Sequence, residues 1–270
     1  MPPNLAKAAR AGNSFLASER PRRDIARMDW QDEGIVIAVR PHGETSAIVE
    51  AFTALHGRHS GMVRGGASRK KAAFLQPGAQ VALSWRARLQ DHLGVFAIEP
   101  IHARAALMDH RAGLAALNSV CALLHLALPD REGHPPLYAA TLTFLNKVEA
   151  DAPQWPADYP RWELALLQEL GFALDLTSCA VTGTRDDLAF VSPRSGRAVS
   201  RTGAGEFAPR LLPLPHFLRP GGNKGDALDS AEMGDALRLT GHFLNLGLEP
   251  ILQGRPLPEA RVRLTEVLAR

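Results

Sequence analysis

Residues 34–66 read GIVIAVRP HGET SAIVEAFTAL HGR HSGMVRGG, and their punctuation decides the fold. GIVIAVRP (34–41) is a β-branched run stopped by a proline, and HGET (42–45) supplies a turn. SAIVEAFTAL (46–55) reads as a second strand that ends at His56-Gly57-Arg58. Further short strands follow at 60–64, 79–86 (AQVALSWR) and 93–99 (LGVFAIE). Five short strands with turn signals between them, packed into roughly 65 residues, predict a small barrel or sandwich. Gly65-Gly66 allows a sharp bend at a barrel corner.

After Pro100 the period changes. Leu114, Leu117, Cys121, Leu124 and Leu128 follow 3/4 spacing, which predicts a helix over 104–128 stopped by Pro129. A second helix begins near Tyr138, with Leu142, Leu145 and Val148 on its apolar face. A third carries Tyr159, Trp162, Leu166 and Leu170 and ends at Gly171, a glycine cap. Proline-rich linkers separate them. Asp229 and Glu232 form a capping-box variant ahead of a helix over 231–246, and Pro258 opens a final helix through Leu268. The stretch 172–225 holds turns and short strands.

The chain has 270 residues, 46 % hydrophobic and 22 % charged, ordinary for a globular protein with a sizeable core. No run of about 18 apolar residues occurs, which excludes a membrane-spanning helix. Two cysteines, Cys121 and Cys179, cannot build a disulfide framework or a four-cysteine zinc site, and they fit a reducing compartment. The net charge of +3 is unevenly spread. Residues 1–27 carry four excess positive charges, lack an apolar h-region and read as a disordered leader or a misassigned start before Met28. Residues 51–90 contain no acid and seven cations: Arg58, Arg64, Arg69, Lys70, Lys71, Arg86 and Arg88. A one-sign segment is an electrostatic footprint for a polyanion.

Enzymatic signatures are missing. There is no phosphate loop, no H-E-x-x-H and no G-x-S-x-G, and the ten histidines are scattered singly. Asp186-Asp187 beside Arg185 read as a solvated turn. The positive signal is the interleaving of Phe52, Phe74 and Trp85 with the seven cations, since single strands are held by basic grooves plus aromatic faces. Phe52 and Phe74 read as core. Trp85, between Ser84 and Arg86, reads equally as core or as a stacking platform. An OB-type barrel supplies such a groove in many binders.

Ordered along the chain, Gly34-Ile35-Val36, Gly43-Glu44-Thr45-Ser46, Phe52-Thr53, His56-Gly57-Arg58, Gly65-Gly66-Ala67 with Arg69-Lys70, and Leu75-Gln76-Pro77-Gly78 resemble the bacterial RecO family of recombination mediators. Trp162 to Leu167, Leu170-Gly171, Leu174-Asp175-Leu176 and the tail from Leu246-Gly247 to Arg261 carry the resemblance onward. It implies an α+β protein: a five-stranded OB-fold barrel (28–101), a helical domain (102–171), a zinc-ribbon-like insert (172–225) and C-terminal helices completing the helical domain (226–270). It further implies a non-enzymatic mediator that binds single- and double-stranded DNA, anneals strands and helps load RecA onto coated single strands. RecR and the C-terminal tail of single-stranded-DNA-binding protein are the implied partners, with no nucleotide cofactor and no membrane.

Many family members carry two C-x-x-C pairs in the ribbon. Here the first reads Cys179-Ala180-Val181-Thr182, and the second is expected at Ser192-Pro193-Arg194-Ser195. One thiolate cannot complete a tetrahedral zinc shell, so the insert is expected to fold without metal on Leu188, Phe190 and Val191. Arg58, Arg64, Arg69, Lys70, Lys71, Trp85, Arg86 and Arg88 are the candidate DNA contacts. Arg131, Leu137 and Tyr138 are the candidate contacts for the partner's acidic, apolar tail, a cation beside apolar groups. An RNA-binding barrel protein and an enzyme with an unread site are the alternatives.

Overall fold

The computed structural model describes residues 28–89, 92–222 and 229–269. The expectation of a leader or misassigned start over 1–27 lies outside the described residues.

One long strand closes the N-terminal sheet. β1 (Met28–His42) runs antiparallel to β2 (Ser46–Thr53) through its C-terminal half. Through Met28 to Ile35 it pairs with β4 (Gln80–Ala87). Its register slips between Val36 and Ala38, and such a bulge bends a strand so that it can serve two neighbours. β2 pairs with β3 (Gly57–Val63), and β5 (Val95–His102) pairs with β4. β3 and β5 meet in parallel at Met62 and Val95, which closes the barrel in the order β1-β2-β3-β5-β4. The first strand is longer than its expected 34–41. Its start is hidden in the sequence because Asp29, Gln31 and Glu33 point outward, leaving only Trp30 to mark the inner face.

Alternation fills the barrel. Val81, Leu83 and Trp85 of β4 are buried with Val36, Val49, Val63 and Phe96. Each such side chain contributes about 1.5–3 kcal/mol of transfer free energy. Between β3 and β4 lies a one-turn helix, α1 (Arg69–Ala72). The Ser68 carbonyl accepts from Ala72 N–H at 2.8 Å and starts the turn.

The helical body begins with α2 (Arg111–Ala127), α3 (Pro135–Glu149) and α4 (Trp155–Glu169). The single helix expected over 104–128 is divided: a 3₁₀ turn at Ala105–Asp109 precedes α2, and His110 between them is extended. Three short strands follow, β6 (Leu188–Val191), β7 (Ala198–Ser200) and β8 (Leu212–Pro213), in the sheet order β7-β6-β8. A short α5 (Arg201–Ala204) leads out of β7. α6 (Ser230–Leu252) runs six residues beyond its expected end, and α7 (Glu259–Leu268) closes the chain. Asp229 caps α6 by accepting from Ala231 N–H, but Glu232 does not reach back to complete a capping box. Its carboxylate takes the His216 ring at 2.6 Å instead.

Glu163 of α4 accepts twice from Arg261 of α7, at 2.7 and 3.1 Å, and Thr240 of α6 donates to the same carboxylate. Glu163 and Thr240 are fully buried and Arg261 nearly so, so this cluster fixes how three helices meet. The barrel and the helical body share apolar packing, since Ile35, Ile37 and Phe52 belong to the helical core. The 129–134 linker is clamped onto the β2–β3 turn. A Cβ on Gly57 would come within 1.8 Å of the Glu132 carbonyl oxygen, so only glycine fits there.

Candidate nucleic-acid interface

Near the β3–β5 seam the outer barrel wall opens into a cavity of about 600 Å³. Met62, Leu93 and Val95 give it apolar walls, and Arg64, Arg86 and Arg88 stand around it. All three arginines are exposed, and among the described residues their side chains have no hydrogen-bond or ion-pair partner. α1 adjoins this group: Lys71 Nζ donates to the Arg64 carbonyl at 2.7 Å, and Arg69 and Lys70 are exposed beside it. Arg64, Arg69, Lys70, Lys71, Arg86 and Arg88, six cations without a carboxylate partner among the described residues, form a field suited to phosphates. One acid lies close in register. Asp29 stands opposite Arg86 across the β1–β4 pair, without forming an ion pair.

Two expected DNA contacts belong elsewhere. Trp85 is not a stacking platform. It is 2 % exposed inside the barrel, and its indole N–H donates to the Leu93 carbonyl at 3.0 Å. Its period-2 position with Val81 and Leu83 turns it inward, and the hydrogen bond fixes the loop that walls the cavity. Gly94 must be glycine there, since a Cβ would lie 2.3 Å from the indole nitrogen at a φ of +68°. Arg58 is not a free cation either. It pairs with Glu50 at 3.4 Å and Asp130 at 2.9 Å and donates to the Leu128 carbonyl at 2.8 Å. Its charge is spent joining the barrel to the linker.

The expected tail-binding group is also taken up by packing. Leu137 is 1 % exposed in the helical core and cannot contact a partner. Tyr138 packs its ring against Phe52 at 5.6 Å between centroids, and burial pushes its hydroxyl up to about 12. Arg131 donates to the His92 carbonyl at 3.1 Å, and its own N–H donates to the Arg58 carbonyl.

At the short sheet, the residues facing Cys179 and Thr182 are Ser200 and Gly203, not Ser192 and Ser195. Ser200 N–H and Oγ lie 3.2 and 3.3 Å from Cys179 Sγ, and Thr182 N–H lies 3.4 Å away. A Cβ on Gly203 would sit 2.8 Å from the same sulfur. The β6–β7 register explains the error: Leu188 pairs with Ser200, so 192–197 is the hairpin tip, away from Cys179. One thiol, two hydroxyls and a glycine do not fit a zinc shell. Among the described residues, no group of three His, Cys, Asp or Glu converges as a metal site. Burial raises the Cys179 thiol, but the donors from Ser200 and Thr182 outweigh it and draw it down to about 6.

Sequence reasoning missed His59. It is 3 % exposed among Trp30, Trp85 and Phe96, and neither ring nitrogen has a partner among the described residues. Burial, then the positive charges of Arg131 and His56, hold it down to about 4. Only its period-2 place between Gly57 and Gly61 marks it as inward. Other histidines instead pair with carboxylates, among them His125 with Glu50 and His102 with Glu149, each joining the barrel to a helix.

These features define a class: a closed barrel with a predominantly cationic wall, built onto a helical body. No helix among the described residues is long and apolar enough to cross a membrane. Comparison makes the assignment specific. The family model described as Recombination protein O N terminal matches residues 28–104, and the one described as Recombination protein O C terminal matches 109–256. The chain is 57 % identical over 243 residues to the DNA repair protein RecO of Cereibacter sphaeroides (strain ATCC 17029 / ATH 2.4.9), covering 90 % of this chain and 99 % of that one. It is 54 % identical over 244 residues to the DNA repair protein RecO of Roseobacter denitrificans, with 90 % and 99 % covered. The chain belongs to the RecO family.

Proposed function

We propose that this protein is a non-enzymatic DNA-binding mediator of recombination in DNA repair, whose barrel is an OB fold that holds DNA on its cationic wall. The observation that carries this reading is the set of cations without a hydrogen-bond or ion-pair partner among the described residues, Arg64, Arg86 and Arg88 on the wall of a closed barrel and Arg69 and Lys70 on the adjoining α1 turn. A solvated surface ordinarily mixes signs, because neighbouring opposite charges relieve repulsion. The family assignment and the repair role named for the relatives support DNA as the polyanion. In this reading the protein binds single and double strands through phosphates and anneals complementary strands. With RecR and single-stranded-DNA-binding protein it helps load RecA. Ser200 and Gly203 then mark the second cysteine-pair position of a ribbon-like insert that folds on packing alone.

The test is annealing of complementary strands by purified protein without ATP, with RNA as competitor. Annealing that DNA competes for better than RNA supports the reading. RNA displacing DNA at equal or lower concentration would reassign the face to RNA. Substrate turnover would favour an enzyme.

A further inference from the structure

The cavity on the barrel wall has a chemistry that phosphate binding alone does not use. Its volume of about 600 Å³ lies within the roughly 300–1,000 Å³ typical of ligand sites. Its inner surface is mainly apolar, from Met62, Leu93 and Val95, while Arg64, Arg86 and Arg88 lie around the same opening. A matching ligand has a flat, largely apolar part to fill the concavity and anionic groups close on either side. An unpaired nucleotide in a strand has both. A paired nucleotide does not, because its base is stacked inside the duplex and turning it out costs a few kcal/mol.

From this geometry we infer that the cavity receives one unstacked base of a single strand, with the flanking phosphates on Arg64, Arg86 and Arg88. The inference rests on the reading of the barrel as a DNA-binding wall and adds a base subsite to it. Aliphatic side chains cover the base here, since Trp85 and Phe96 are turned into the barrel. Trp85 acts one step removed, by holding the Leu93 carbonyl and so the wall that Leu93 forms. Apolar cover without hydrogen-bonding readout is tolerant of base identity but not of the base's absence.

The experiment compares an oligothymidylate of about a dozen nucleotides with an abasic strand of equal length and charge, at one salt concentration. The wild-type protein is expected to bind the base-bearing strand at least about fivefold more tightly. Leu93 is 37 % exposed and holds Trp85 only through its backbone carbonyl, so Leu93→Ser keeps the fold. This variant, alone and with Met62→Ser, should lose most of that preference while keeping the salt dependence. Arg86→Ala with Arg88→Ala should weaken both strands alike. Equal binding of the two strands by the wild type, or an undiminished preference in Leu93→Ser, overturns the base subsite and leaves the phosphate-binding wall standing. Binding of neither strand overturns both.

Discussion

His59 and Arg58 show how differently two polar residues on one strand are used. Below pH 6.5, the usual histidine value, an unfolded chain protonates His59, whereas the folded ring resists protonation until about pH 4. The folded form therefore loses stability as pH falls through that window, by about 3 kcal/mol in all. Chemical denaturation at pH 7 and pH 4.5 reads this directly. His59→Phe should flatten the loss and leave stability at pH 7 unchanged or higher, because two unpaired buried nitrogens are removed. An acid sensitivity equal to the wild type would place its origin elsewhere. Arg58 looks like a DNA contact in the sequence because charge counting cannot see Glu50 and Asp130 folding back onto it. Arg58→Ala should lower stability by about 1–3 kcal/mol and leave the salt dependence of DNA binding unchanged. Unchanged stability with a shallower salt dependence would return Arg58 to the DNA face.

Among elements, β4 was the most legible strand because it alternates cleanly, whereas β2 alternates only as far as Ala51 and is set off by the turns on either side of it. β1 was only half legible. Its first six residues are fixed by pairing with β4, a long-range contact that local pattern does not record. The same limit applies to the insert, where register, not spacing from Cys179, selects Ser200 and Gly203. Elemental analysis of protein purified without chelators should find far less than one zinc per chain. Thr182→Cys, Ser200→Cys and Gly203→Cys together should raise it towards one, and stoichiometric zinc in the wild type would contradict the site's geometry. α1 is a single helical turn that keeps Arg69 and Lys70 exposed. Replacing both with Ala should lower the slope of log affinity against log salt by about 1.4 on single strands, at roughly 0.7 per phosphate contact. An unchanged slope would leave α1 off the path of the strand.

At the scale of the whole molecule, the charge asymmetry seen in the sequence survives folding in reduced form. Of seven cations between residues 51 and 90, Arg58 is neutralised at the junction with the helical body and Lys71 is engaged by a backbone carbonyl. Asp29, from outside that segment, is brought beside Arg86 by strand pairing. Composition could locate the basic segment but could not sort structural from free cations, because that depends on which carboxylates the fold delivers. What remains is a wall centred on Arg64, Arg86 and Arg88, carried by a barrel that the Arg58 contacts, His125–Glu50 and shared apolar packing hold against the helices. The most direct test of that wall is the salt dependence of single-strand binding by the wild type and by the triple variant Arg64→Ala, Arg86→Ala, Arg88→Ala, with thermal unfolding measured in parallel. The expected result is a slope shallower by about 2, at roughly 0.7 per lost phosphate contact, in a variant that unfolds at the wild-type temperature. An unchanged slope in a fully folded variant would contradict the placement of DNA on this face.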